Sequence, residues 1–234
     1  MHPDGGERER MAHVEAEGPA PRWLAHADLQ RLIDALRAQG RRVLGPVVRG
    51  GALAFEEVRA VDELPRGWRD EQAPGRYRVA VAGGDALFGV VHGPAGLKPH
   101  VFAPREPLLQ IQIEREGDGA GGGFRAAPIA PDAPPLALLG VRACDLAGLA
   151  VQDRVFLHDR FPDPSYRARR EQLFLVAVGC TRAVETCFCA AQDTGPDPRR
   201  AGGYDVALTE LAGGFLARAG SPAGEGLLAA LALP

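Results

Sequence analysis

Lysine is almost absent from this chain: Lys98 is the one lysine among 27 lysine and arginine residues in 234. With 30 glycines and 20 prolines, that imbalance reads as a bias of coding composition, not as a functional excess of arginine. The formal net charge is −3 and the pI is near 6.1, so nothing draws the chain as a whole toward nucleic acid or an anionic membrane. No stretch approaches the roughly 20 apolar residues that span a bilayer. Also missing are a strand-led G-x-G-x-x-G, a Walker motif and a Ser-His-Asp order. Their absence argues against a dinucleotide-binding dehydrogenase, a nucleoside-triphosphate enzyme and a hydrolase.

Residues 1–22, MHPDGGERERMAHVEAEGPAPR, are charged and contain no apolar signal core. They read as a disordered leader, with Met11 as a second candidate start. Without a signal the expected compartment is the cytoplasm, where thiols stay reduced and clustered cysteines act as ligands or redox groups and not as disulfides.

Cysteine is scarce too, and its placement is informative. The chain has four, Cys144, Cys180, Cys187 and Cys189, and the last two form a Cys-Phe-Cys pair. Four thiols are the usual ligand set of one iron–sulfur cluster or one structural zinc.

Apolar periodicity locates these residues in a fold. Leu29, Leu32, Ile33 and Leu36 follow helical spacing, and Gly40 is placed to end that helix. Val43–Val48 and Leu53–Val58 read as strands around Gly50-Gly51. Tyr77–Val81 and Ala86–Val91 flank Gly83-Gly84-Asp85 as a hairpin. LLQIQIE reads as a strand, and Glu116–Gly123 as a glycine-tolerant hairpin tip.

Further on, Leu136–Val141 and Leu173–Val178 are continuous apolar runs suited to buried strands. Asp145–Leu157 reads as a helix between them, and HDRFPDPSYRARREQ as a polar link. Strand, helix, strand at this spacing predicts parallel pairing. Tyr204–Leu208 and Phe215–Ala219 are further strands, and Ala223–Leu233 is helical. The expected fold is α/β: a β-rich N-terminal part over residues 23–130, then an α/β part over 131–234. The second part has a mixed or parallel sheet with flanking helices and carries the cysteines, and the two parts can pack as one unit.

In that arrangement Cys144 follows one strand and precedes a helix, while Cys180 follows the next strand. Parallel strands bring both thiols to the carboxyl edge of the sheet, where open α/β folds bind ligands. Cys187 and Cys189 lie in the loop that can fold back over this edge. The helix N-terminus is expected to favour a thiolate at Cys144. Arg142 and Arg182 would add positive charge beside a negative four-thiolate site, and donors to its sulfurs would raise a cluster's potential. Small buried hydrophobes, a structural zinc, a redox dithiol at Cys187 and Cys189, and an iron–sulfur cluster all remain open on spacing alone.

Other residues have milder readings. Asp145 suits an N-cap. His92, His100 and His158 read as surface or capping residues, Arg169 and Arg170 as a solvated face, and Lys98 as a weak partner contact. Phe188 would either shield a bound cluster or pack on the core.

Several segments together resemble one family. They are LLGVRACDLAGLAVQDRVF (Leu138–Phe156), the arginine pair of YRARRE, VGCTRAVETCFCAAQDTGP (Val178–Pro196) and GYDVALTEL; Lys98 before VFAPRE adds a weaker match. The chain from about residue 24 onward resembles the β subunit of sulfhydrogenase, in the group of soluble nickel–iron hydrogenases, to which the electron-transfer subunit of anaerobic sulfite reductase is related. GVRACD and CFC are the most specific blocks.

The resemblance implies an iron–sulfur subunit relaying electrons between a flavin- and NAD(P)-binding subunit and a hydrogenase-like catalytic subunit. Cys144, Cys180, Cys187 and Cys189 would ligate one cluster, of the [4Fe–4S] type. The contrasting reading is a zinc-stapled docking module without redox activity. The family normally continues into a ferredoxin-like module with two more cysteine runs, which this sequence does not contain; it is expected to be a short relative or a piece of a longer protein.

Overall fold

The structure, a computed structural model, describes residues 20–91, 96–115 and 122–233. Most of the expected leader, the glycine-rich tip and His92 lie outside the described residues. The described elements run β1 (Arg22–Ala25), α1 (Leu29–Ala38), β2 (Arg42–Arg49), β3 (Ala52–Glu57), β4 (Trp68–Ala73), β5 (Arg76–Val81), α2 (Lys98–Val101), β6 (Leu109–Arg115) and β7 (Gly122–Pro128). They continue with β8 (Leu136–Val141), α3 (Ala143–Leu157), α4 (Pro164–Gln172), β9 (Leu173–Val178), α5 (Pro198–Ala201), β10 (Val206–Leu211), β11 (Gly214–Ala219) and α6 (Pro222–Ala230).

The fold is α/β, as expected. Seven strands form one sheet in the order β1-β11-β10-β9-β8-β2-β3. The centre, β2-β8-β9-β10, is parallel, and the antiparallel pairs β2–β3, β10–β11 and β11–β1 complete the edges. The sheet therefore takes strands from both sides of residue 130.

β8 and β9 are buried at every position, because their apolar runs face helices on both sides. In β9, Phe174, Val176 and Val178 point into the core with α1 and α6. Leu173, Leu175 and Ala177 point into the core that holds Leu146 and Leu149 of α3 and Tyr166 of α4. A register shift at Gly140 interrupts the β8–β9 ladder. Its φ is +93°, and a Cβ there would lie 3.0 Å from Phe88 and 3.1 Å from Pro46. A glycine is thus required just before the chain leaves the sheet toward Arg142.

Two readings of the sequence need correction. The hairpin of β5 is made with β4, through Pro74-Gly75, and not with Ala86–Val91. Segment 86–91 has no ladder partner; the amides of Leu87 and Phe88 donate instead to the buried Glu210 carboxylate, at 2.6 and 3.1 Å. The supposed polar link contains α4, which Asp163 caps by accepting from the amides of Ser165 and Tyr166 at 2.8 and 3.0 Å, with Pro164 at the first helical position.

β6 and β7 form a separate two-stranded ribbon. Leu109, Ile111 and Ile113 pair with Pro128, Ala126 and Phe124, so these three successive pairs are apolar on one face, and Ile113 and Phe124 are about three-quarters exposed, at 75% and 77%.

The central strands carry the stability. Leu139→Ala should destabilise the protein by about 2–5 kcal/mol, whereas Val151→Ala on the outer face of α3 should change it by no more than about 0.5 kcal/mol. Urea denaturation followed by circular dichroism measures both; equal effects would contradict the layered core.

Candidate metal centre

The end of β8 and the end of β9 open at the same edge because the two strands are parallel. Arg142 is the N-cap of α3, and Cys144 lies in that helix's first turn. Asp145 is not the cap. It is the third helical residue, and its carboxylate accepts the Arg142 amide at 2.9 Å, reaching back across the cap as in a capping box. Cys180 stands two residues beyond β9, its amide donating to the Pro196 carbonyl at 3.3 Å.

The loop from 181 to 197 turns back over this edge through short turns. The Cys187 amide donates to Val184 at 2.9 Å and the Thr194 amide to Cys189 at 3.0 Å, while the Val184 amide approaches Cys187 Sγ at 3.4 Å. A Cβ on Gly195 would stand 3.0 Å from Ala143 Cβ and 3.1 Å from Cys189 Sγ. A side chain at 195 would crowd this loop where it closes against the start of α3.

All four cysteines border one hollow of about 140 Å³, together with Arg142, Phe188 and residues of the N-terminal half, Gln72 and Val91. Among the described residues, no three His, Cys, Asp or Glu side chains close on a point that would hold a single metal ion. The thiols are free. Cys144, Phe188 and Cys189 also border a second hollow of about 500 Å³ along α3, with Val151, Arg154 and Arg200.

Arg142 is 3% exposed, and its guanidinium accounts for most of the site's internal order. Nη2 donates to the carbonyls of Phe88 at 2.6 Å and Val90 at 3.0 Å. Nη1 donates to Gly179 at 3.1 Å and, more weakly, to Val178 at 3.5 Å. A guanidinium has five N–H donors, and the fifth, on Nε, is buried without a partner. A buried donor left unmade costs about 1–3 kcal/mol, so an acceptor at the hollow would relieve it.

Arg182, the other candidate cation, is tied elsewhere. It pairs with Asp70 and donates to the Asp70 carbonyl at 3.1 Å. The buried Asp70 carboxylate also accepts from Gln72 at 2.9 Å and from the Val91 amide at 2.7 Å. Thr186 donates to Gln72 at 2.7 Å. β4 and segment 86–91 thereby become one wall of the thiol hollow. No local motif announces Asp70, Gln72 or Val91; their partners lie up to 114 residues away.

The electrostatics overturn one expectation. The helix start does not yield a ready thiolate at Cys144: the residue is exposed at the rim, but desolvation of its thiol by the surrounding atoms, then Asp145 and the neighbouring Cys180 and Cys189, push it up to about 12. Burial also raises Cys180, while the Arg142 guanidinium beside it pulls the other way. The residues that read as weak site candidates lie apart from the hollow. His100 lines a separate cavity, with burial, then Arg42, lowering its pKa, and His158 is the C-cap of α3. Lys98 opens the short helix α2.

Arg169 and Arg170 do not form a solvated face: Arg169 pairs with Glu106 and donates to Asp132 at 3.1 Å, and Arg170 pairs with Asp153 at 3.2 Å. Phe188 is 63% exposed at the rim and does not pack in the core.

In metal-free protein the alkylation rate of Cys144, resolved by peptide mass spectrometry, should keep rising about tenfold per pH unit from about pH 8 to 10. Its thiolate fraction climbs throughout that range below a pKa of about 12. A plateau near pH 9, as for an ordinary thiol of pKa about 8.5, would contradict the crowded-thiol geometry.

No family model and no solved structure matches the chain. A curated relative does: sulfhydrogenase 2 subunit beta of Pyrococcus furiosus, 30% identical over 188 residues. The match covers 79% of this chain and 44% of the relative, so the chain spans less than half that protein's length. With GVRACD and CFC surrounding the thiol hollow, that similarity means the chain belongs to the sulfhydrogenase β-subunit family.

Proposed function

We propose that this chain is an iron–sulfur electron-transfer component of a multisubunit oxidoreductase, with Cys144, Cys180, Cys187 and Cys189 as the ligands of one [4Fe–4S] cluster. The observation that carries the reading is that these cysteines, from the start of α3, the end of β9 and the following loop, border a single hollow. The residues present fit an anionic group there. Four cysteines and a permanently charged guanidinium border it, and one buried N–H of that guanidinium makes no hydrogen bond of ordinary geometry. A hollow of about 140 Å³ bordered by four cysteines has room for a group several atoms across.

When bound, such a cluster supplies one-electron transfer. The protein's own part is to hold and shield it. Arg142 balances thiolate charge, the turns of residues 181–197 fix Cys187 and Cys189, and Phe188 covers the rim. No substrate pocket with acid–base partners is needed for that role.

Partners would be a flavin- and NAD(P)-binding subunit and a hydrogenase-like catalytic subunit in the cytoplasm. The relative's name as a subunit supports assembly into a complex, as do the exposed apolar side chains Leu109, Ile111, Ile113 and Phe124 on one face of the β6–β7 ribbon. Among the described residues no helix is long and apolar enough to cross a membrane.

The test is anaerobic reconstitution with iron and sulfide. The loaded protein should be brown, with broad visible absorbance that dithionite bleaches, and each single Cys→Ser variant should lose most of its iron and acid-labile sulfide. A colourless protein that takes up one zinc, or full iron retention after two cysteines are replaced, would contradict the cluster and favour a zinc-stapled docking role.

A further inference from the structure

We propose that Arg142 donates its Nε–H to the anionic group held by the four cysteines, and that this contact sets how readily the group accepts an electron. The inference rests on the functional reading above and assigns a role within that site to a residue that is not a ligand.

Four of the five guanidinium N–H groups go to the carbonyls of Phe88, Val90, Val178 and Gly179; the fifth, on buried Nε, makes no hydrogen bond of ordinary geometry, and the Cys180 thiol lies close enough to feel the guanidinium as charge and as donor. The same residue borders the hollow that all four cysteines border. Its position is fixed from two directions: segment 86–91, held in place by Glu210, supplies two of the carbonyls, and the end of β9 supplies the other two. The guanidinium therefore does not have to reorient when charge arrives.

Arg182 is the natural comparison. Its Nε is also buried and unmet, but its charge is compensated by the Asp70 carboxylate, and it does not line the thiol hollow. A guanidinium stays charged throughout the accessible pH range. Four thiolates make the bound group negative and reduction adds a further negative charge, so a fixed cation with an N–H directed at a sulfur favours the reduced form.

The experiment uses the full chain, reconstituted anaerobically with iron and sulfide, as wild type and as Arg142→Gln, Arg142→Lys and Arg182→Lys. The first readout is the midpoint potential from a dye-mediated redox titration. The second is the electron-spin-echo spectrum of reduced protein grown on arginine carrying ¹⁵N at Nε.

The expected result for Arg142→Gln is a reduction equilibrium constant at least tenfold lower, a downward shift of 59 mV for a one-electron couple. A ¹⁵N coupling should appear in wild type, persist in Arg182→Lys and vanish in Arg142→Lys. A change of less than twofold in Arg142→Gln, or no coupling in wild type, overturns the assignment while leaving the cluster in place. If Arg142→Gln does not fold, the presence or absence of the wild-type coupling decides alone. If wild type itself takes up no cluster, the functional reading fails and this inference falls with it.

Discussion

The buried guanidinium of Arg142 joins three segments that the chain delivers from far apart: the end of β8, which it occupies, the end of β9, whose carbonyls it holds, and the strand-like but unpaired segment 86–91. A charge at 3% exposure is tolerated only when its donors are met. Phe88 and Val90 lie in a segment without a ladder partner, so their carbonyls and the guanidinium satisfy each other. Glu210 completes the arrangement from below by taking the amides of the same segment. The thiols are placed by this framework: Cys144 two residues after Arg142, Cys180 just beyond the carbonyls it holds, and the Cys187–Cys189 loop folded onto the wall that segment 86–91 forms with β4.

Glycine at two positions makes the framework possible. Gly140 turns the chain out of β8 where Phe88 and Pro46 leave no room for a side chain, and Gly195 lets Cys189 approach the start of α3. The chain therefore combines strict positions near the thiols with a generic α/β core elsewhere. The same edge is rimmed by exposed surface: Phe188 and the outer side of α3.

Much of this was legible in the sequence. The apolar runs of β8 and β9 gave their burial and parallel pairing, and the spacing of Leu29, Leu32, Ile33 and Leu36 gave α1. Placement of Cys144 and Cys180 at one edge followed from those elements alone. What was not legible depended on distant partners. Ala86–Val91 has the composition of a strand, but its backbone groups bond to side chains 14–123 residues away, which no local pattern reveals. Gly83-Gly84 looked like the hairpin turn, while Pro74-Gly75 makes it. The signal for α4 was present, in Asp163 followed by Pro164, and was obscured by the polar composition of the helix. The Cys144 thiolate expectation weighed the helix dipole and omitted the desolvation of the thiol and the crowding by Asp145, Cys180 and Cys189.

The account's central claim is that the four cysteine sulfurs share one polynuclear iron centre. A crystal of the anaerobically reconstituted protein, measured on both sides of the iron absorption edge, tests it most directly. Anomalous peaks for several irons inside the hollow, with Cys144, Cys180, Cys187 and Cys189 each bonded to one, are the predicted result. A single metal peak, or iron bound with any of these sulfurs turned away from it, would contradict the claim.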